Sequence, residues 1–86
     1  MKAKFISLPN GTVVNIDTII CVTAHMHREA YPGSGEFLEP DVVVAYQRSP
    51  DDHGAVKVKC ASDADALDLR DRIVARINEH SPIFPV

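Results

Sequence analysis

The stretch Ala55-Val56-Lys57-Val58-Lys59-Cys60-Ala61-Ser62-Asp63-Ala64-Asp65-Ala66-Leu67-Asp68-Leu69-Arg70-Asp71-Arg72-Ile73-Val74-Ala75-Arg76-Ile77-Asn78-Glu79-His80 decides the fold. Val56, Val58 and Cys60 alternate with Lys57 and Lys59, the period of a strand with one face inside and one in water. Ser62 then stands at an N-cap, with Asp65 three residues on in the capping-box position and Asp63 and Asp68 near the positive end of the helix dipole. A helix follows as far as His80. At about 100° per residue, Ala66, Leu67, Leu69, Ile73, Val74 and Ile77 share one side. Arg70, Arg72, Arg76 and His80 weight the closing half with the positive charge that a helix C-terminus prefers.

That apolar arc spans about 160° and encloses Arg70, whereas a helix on one sheet face needs only about 100°. The surplus, Leu67 and Val74 with Arg70 between them, predicts a second contact. It is expected either from the apolar tail Ile83-Phe84-Pro85-Val86 or from a second molecule.

Working back toward the N-terminus, Ser49-Pro50-Asp51-Asp52-His53-Gly54 reads as a turn and Asp41 to Arg48 as a strand. The strand is nearly continuous in apolar character, which suits a central position covered on both faces. Glu29 to Pro40 contains Pro32, Gly33, Ser34 and Gly35 without usable periodicity and reads as a long loop. Ile19 to His27 forms a strand with Ile20, Val22, Ala24 and Met26 on its core face and Ile19, Cys21, Thr23, His25 and His27 on the other. The opening pairs Lys4-Phe5-Ile6-Ser7-Leu8 with Val13-Val14-Asn15-Ile16 through Pro9-Asn10-Gly11-Thr12, where Asn-Gly predicts a type I′ turn. These first residues, a strand, an Asn-Gly turn and a second strand ending near Asn15, resemble the start of the short FlbD-type flagellar proteins. The resemblance covers about a quarter of the chain and rests on common hairpin chemistry. It implies the hairpin and carries no function with it.

The expected architecture is α+β: a five-stranded, mainly antiparallel β-meander, open or curled as a partial barrel, with the C-terminal helix packed on one face. Residues 1–80 form the single domain and 81–86 the apolar tail. The second sheet face, with Ile19, Cys21, Val43 and Ala45, is too apolar for a fully solvated surface, so either the sheet curls or it dimerises.

Charge narrows the partners. The net charge of −3 is uneven: the loops between Glu29 and Gly54 hold most of the acidic excess, and no cluster of Lys and Arg suits a phosphate backbone. Nucleic acid is not expected. A protein with a basic surface, or a second copy of the chain, fits better. No run of apolar residues is long enough for a membrane span, and the opening Met1-Lys2-Ala3-Lys4 lacks a secretory pattern. The expected setting is the cytoplasm, with Cys21 and Cys60 as free thiols.

Three patterns invite chemistry. Cys21, His25 and His27 share a strand face, with His53 or Cys60 as a conceivable fourth ligand, and zinc takes N and S ligands at about 2.0 to 2.3 Å. Without a Cys-x-x-Cys pair, this metal-binding reading stands second to a solvent-facing strand end or a pH-sensitive imidazole contact. Pro32-Gly33-Ser34-Gly35-Glu36 lacks the Lys-Ser/Thr end of a phosphate loop and sits among carboxylates. Cys60 falls on the inward face, where thiols are inert. The expectation is a non-enzymatic interaction module without a cofactor, its contacts made by Ile19, Cys21, Val43, Ala45, Leu67, Arg70, Val74, Ile83 and Phe84. The alternative is a small metal-binding or metal-sensing protein centred on His25 and His27.

Overall fold

The computed structural model describes residues 5–80. In chain order these form β1 (Phe5–Ser7), β2 (Val13–Asn15), a single 3-10 turn (Ile16–Thr18), β3 (Ile19–His25), β4 (Arg28–Glu29), β5 (Phe37–Leu38), β6 (Asp41–Ser49), β7 (Asp52–Lys59) and α1 (Asp63–His80). The class is α+β and every strand pair is antiparallel.

The single five-stranded meander is corrected. Among the described residues the strands form three sheets, none of them closed: the ribbon β1-β2, the sheet β3-β6-β7 and the ribbon β4-β5. The break after β2 has a local cause. Asn15 caps the 3-10 turn by accepting the Asp17 N–H at 2.9 Å, and Thr18 Oγ1 donates to the Asn15 carbonyl at 2.7 Å. The chain therefore turns away, and β3 takes β6 as its partner instead of β2. The segment between β3 and β6, expected as a loop, folds back on itself as a short arm in which Arg28 pairs with Leu38 and Glu29 with Phe37. Glycines at Gly33 (φ 80°) and Gly35 (φ 74°) shape its tip, where L side chains are disfavoured.

The opening turn also differs from the expected type I′, which requires positive φ at both central residues. Only Gly11 has it (φ 90°), and Asn10 does not. The Gly11 N–H donates to the Leu8 carbonyl at 2.9 Å and the Leu8 N–H to Thr12 at 2.8 Å. Pro9, Asn10 and Gly11 thus make a three-residue loop, a type I turn closed by a left-handed glycine.

β3 contains one surplus residue. Ile19 lies opposite Tyr46 and Cys21 opposite Ala45, so Ile20 is a bulge. A bulge inverts the side-chain alternation on one side of it. Ile19, expected outside, packs against the core, and Ile20, expected inside, is 54% exposed. Beyond the bulge the expected phase returns, with Val22, Ala24 and Met26 against the core. β7 begins at Asp52, earlier than its sequence reading. At Gly54, an added Cβ would come within 2.5 Å of Tyr46 Cζ, so the absent side chain leaves room for the tyrosine ring.

The core lies between α1, the β1-β2 ribbon and the inner face of the three-stranded sheet. Ile6, Leu8, Val14 and Ile16 meet Val42, Val44 and Val58, and α1 closes over them with Ala66, Leu69 and Ile73. The helix starts as expected: Ser62 Oγ accepts the Asp65 N–H at 3.2 Å. Its buried stripe, Ala66, Leu69, Ile73 and half-buried Ile77, is narrower than the apolar arc read from the sequence. Among the described residues, no helix is long and apolar enough to cross a membrane.

Candidate interaction surface

The outer face of the sheet is built by register. His25, Asp41 and Lys59 lie in one cross-strand row, Thr23, Val43 and Lys57 in the next, and Cys21, Ala45 and Ala55 in a third. Val43 and Ala45 are half-buried, and Cys21 and Ala55 are exposed. The row of small residues is shallow, whereas in the row of His25, Asp41 and Lys59 the central carboxylate is covered.

Asp41 is the one buried charged residue among those described, at 3% exposure. It opens β6 directly after buried Pro40, and its carboxylate lies 2.7 Å from His25 Nδ1 and 3.7 Å from Lys57 Nζ. An ionised carboxylate only accepts hydrogen bonds, so Nδ1 is the imidazole nitrogen that donates. A buried carboxylate without a partner would be costly, and His25 and Lys57 supply the partners.

The arm folds over this row. A cleft of about 260 Å³ lies between Arg28, Phe37, Leu38 and Glu39 of the arm region and Lys57 and Lys59 of β7, with Asp41 in its wall. Its base is fastened by His27. The imidazole stacks on Phe37 with ring centroids 5.3 Å apart, and the His27 backbone N–H donates to Asp63 Oδ1 at 2.7 Å. Arg28 donates to the Met26 carbonyl at 3.0 Å. The arm nevertheless leaves Tyr31, Phe37 and Leu38 exposed.

The residues expected to hold a metal are thus dispersed. Cys21 and His25 share the outer face but are four residues apart, about 13 Å along a strand. His25 turns Nδ1 to Asp41, and His27 sits beyond the end of β3 against Phe37. His53, opposite Gln47, is at the far end of β7. Among the described residues, no group of three or more His, Cys, Asp or Glu side chains is placed to hold a metal ion. Cys60 lies at the other end of β7, across β6 from β3, and both thiols are free. Burial pushes the Cys60 thiol up from its ordinary range, with Asp65 and then Asp41 adding to the effect, which opposes the thiolate a nucleophile needs.

The expected contact residues also divide. Cys21, Val43 and Ala45 share the outer sheet face, while Ile19 belongs to the core side. On α1, Leu67 is exposed and Val74 and Arg70 are half-buried. Arg70 pairs with Asp71 at 2.9 Å, and because Asp71 is itself exposed, the arginine serves no buried carboxylate. Ile83 and Phe84 lie outside the described residues. A separate groove of about 500 Å³ runs between β1 and α1, with Phe5, Leu8, Leu69 and Ile73 in its walls beside Arg72 and Arg76.

Asp41, Lys57 and the arm's apolar side chains were not read from the sequence. The available signal was Pro40-Asp41 at a strand start, but its histidine partner depends on a register set sixteen residues away. No family model matches the chain, and no curated protein or solved structure matches it.

Proposed function

We propose that the chain is a non-enzymatic protein-interaction module that associates with itself, in the simplest case as a homodimer in the cytoplasm. The observation that supports this is the open three-stranded sheet: β3 and β7, its two outer strands, have no pairing partner on their far sides among the described residues. Unpaired strand edges offer rows of N–H and C=O groups to another chain. The half-buried Val43 and Ala45 on the outer face and the exposed Phe37 and Leu38 of the arm add apolar surface beside them.

The metal-binding reading draws on one feature. Asp41 orients His25 as an outer-shell carboxylate orients a ligand imidazole. It would need further ligands brought by a second chain, since His27 stacks on Phe37 and Cys21, though on the same face, is about 13 Å away along the strand.

Native mass spectrometry of protein prepared without chelator, over a concentration series, tests both readings. Twice the chain mass without added metal is the expected result. A single-chain mass at every concentration would overturn self-association, and a mass excess equal to one zinc per chain or per dimer would favour the metal reading.

A further inference from the structure

We propose that β7 is the strand through which two copies of this chain join, edge to edge and antiparallel, about a two-fold axis at Ala55. The proposal rests on the self-association reading above and names its surface.

The direction of the backbone groups follows from one hydrogen bond. The Cys60 N–H donates to the Pro40 carbonyl at 2.8 Å, toward the β6 side. In an antiparallel ladder, residues alternate between those that exchange bonds with the neighbouring strand and those that face away. With Val58 opposite Val42, Val56 opposite Val44 and Gly54 opposite Tyr46, these even-numbered residues bond to β6. Lys59, Lys57, Ala55 and His53 therefore aim their N–H and C=O groups at the open edge. All four are exposed.

The other edges suit pairing less. β3 is interrupted by the Ile20 bulge, and β1 and β2 are three residues each. β7 has eight residues, and its ladder to β6 is irregular only at the Ser49–Asp52 end.

Charge selects the partner. The β7 hairpin is acidic where it begins, at Asp51 and Asp52, and basic where it ends, at Lys57 and Lys59. Asp52 already pairs with Arg48 at 3.1 Å, and Lys57 reaches Asp41 at 3.7 Å. Asp51 and Lys59 have no ion-pair partner among the described residues. An axis at Ala55 sets Lys57 opposite His53 of the second copy, with two small Ala55 side chains at the centre, and brings Lys59 to the end of its β7, beside the turn residue Asp51. Edge lysines ordinarily discourage strand pairing. Here an antiparallel copy brings Asp51 to Lys59 and sets a histidine, not another lysine, opposite Lys57, so the lysines reject like-charged strands and accept this one. A single strand-edge contact is at the small end of interface sizes, which fits a dimer that exchanges.

Sedimentation or light scattering over a concentration series tests the proposal on the full chain. Ala55→Pro removes an edge N–H and leaves the β6 ladder intact, since proline is tolerated on a free edge. It is expected to give a monomer with a wild-type circular dichroism spectrum. Lys59→Glu and Asp51→Lys are each expected to weaken the dimer about tenfold or more. Mixing those two variants in equal amounts should restore it, because both contacts between positions 59 and 51 in the mixed dimer are again of opposite sign. If the wild type dimerises and all three variants dimerise equally well, β7 pairing is overturned while self-association stands. A wild type that stays monomeric throughout overturns both.

Discussion

The two faces of β6 carry similar apolar residues and do different work. On the inner face Val42 and Val44 are fully buried, at 0% exposure, beneath α1 and the β1-β2 ribbon. On the outer face Val43 and Ala45 are only half-buried, and the deepest group is a carboxylate, Asp41. The inner face is held by close packing and the outer one by a hydrogen-bonded charge under a short arm. A run of apolar residues in sequence therefore states that a strand is central, without stating that both its faces are core.

The largest test of this contrast is truncation on either side of the sheet. Ile73→Ala, in the inner core, should lower stability by about 2–5 kcal/mol. Val43→Ala, on the outer face, should cost under about 1 kcal/mol because the site is already partly in water. Urea denaturation of both variants measures the difference, and equal costs would mean that the outer face is covered as firmly as the inner.

Next in size is Asp41. Asp41→Ala removes the acceptor of His25 and the anion beside Lys57, at a cost of about 1–3 kcal/mol. Asp41→Asn keeps an oxygen that can accept from His25 and should recover part of the loss. An asparagine variant as unstable as the alanine variant would show that the charge beside Lys57, and not the bond to His25, holds this row.

The smallest effect concerns the thiols on the two sides. Because Cys60 holds its proton to higher pH in the folded chain than in the unfolded one, the unfolded chain ionises first, from about pH 8.5. Its contribution to stability is complete below that pH and is lost as pH rises through the raised folded value. Relative to Cys60→Ala, the wild type should lose stability above about pH 8.5. Alkylation followed by mass spectrometry of fragments should label exposed Cys21 before Cys60, and the reverse order would contradict the placement of Cys60.

The regular parts of the fold were legible because their periods are long and their caps local. The helix from Asp63, its Ser62 cap and the β6-β7 hairpin each announce themselves within a few residues. Three features did not. The Ile19-Ile20 pair fits either phase of a strand, so nothing local reveals the bulge. The arm rests on two-residue strands, too short for any alternation to register. The break between β2 and β3 depends on Asn15, read as a strand residue, capping the next turn with its side chain. At the surface, Cys21, His25 and His27 have the correct parity for one strand face. Parity says nothing of the distance along that face, nor of Asp41 and Phe37 waiting across the register.

Vectorial synthesis gives the position of α1 another meaning. The helix that covers Val42 and Val44 comes after every strand of the sheet it covers, with Ile73 about thirty residues behind them. At about 5–20 residues per second, the nascent sheet spends roughly 1.5–6 seconds with no helical cover for its inner face. During that interval the β1-β2 ribbon, made before β6, is the element among the described residues already available to shelter those valines from other nascent chains.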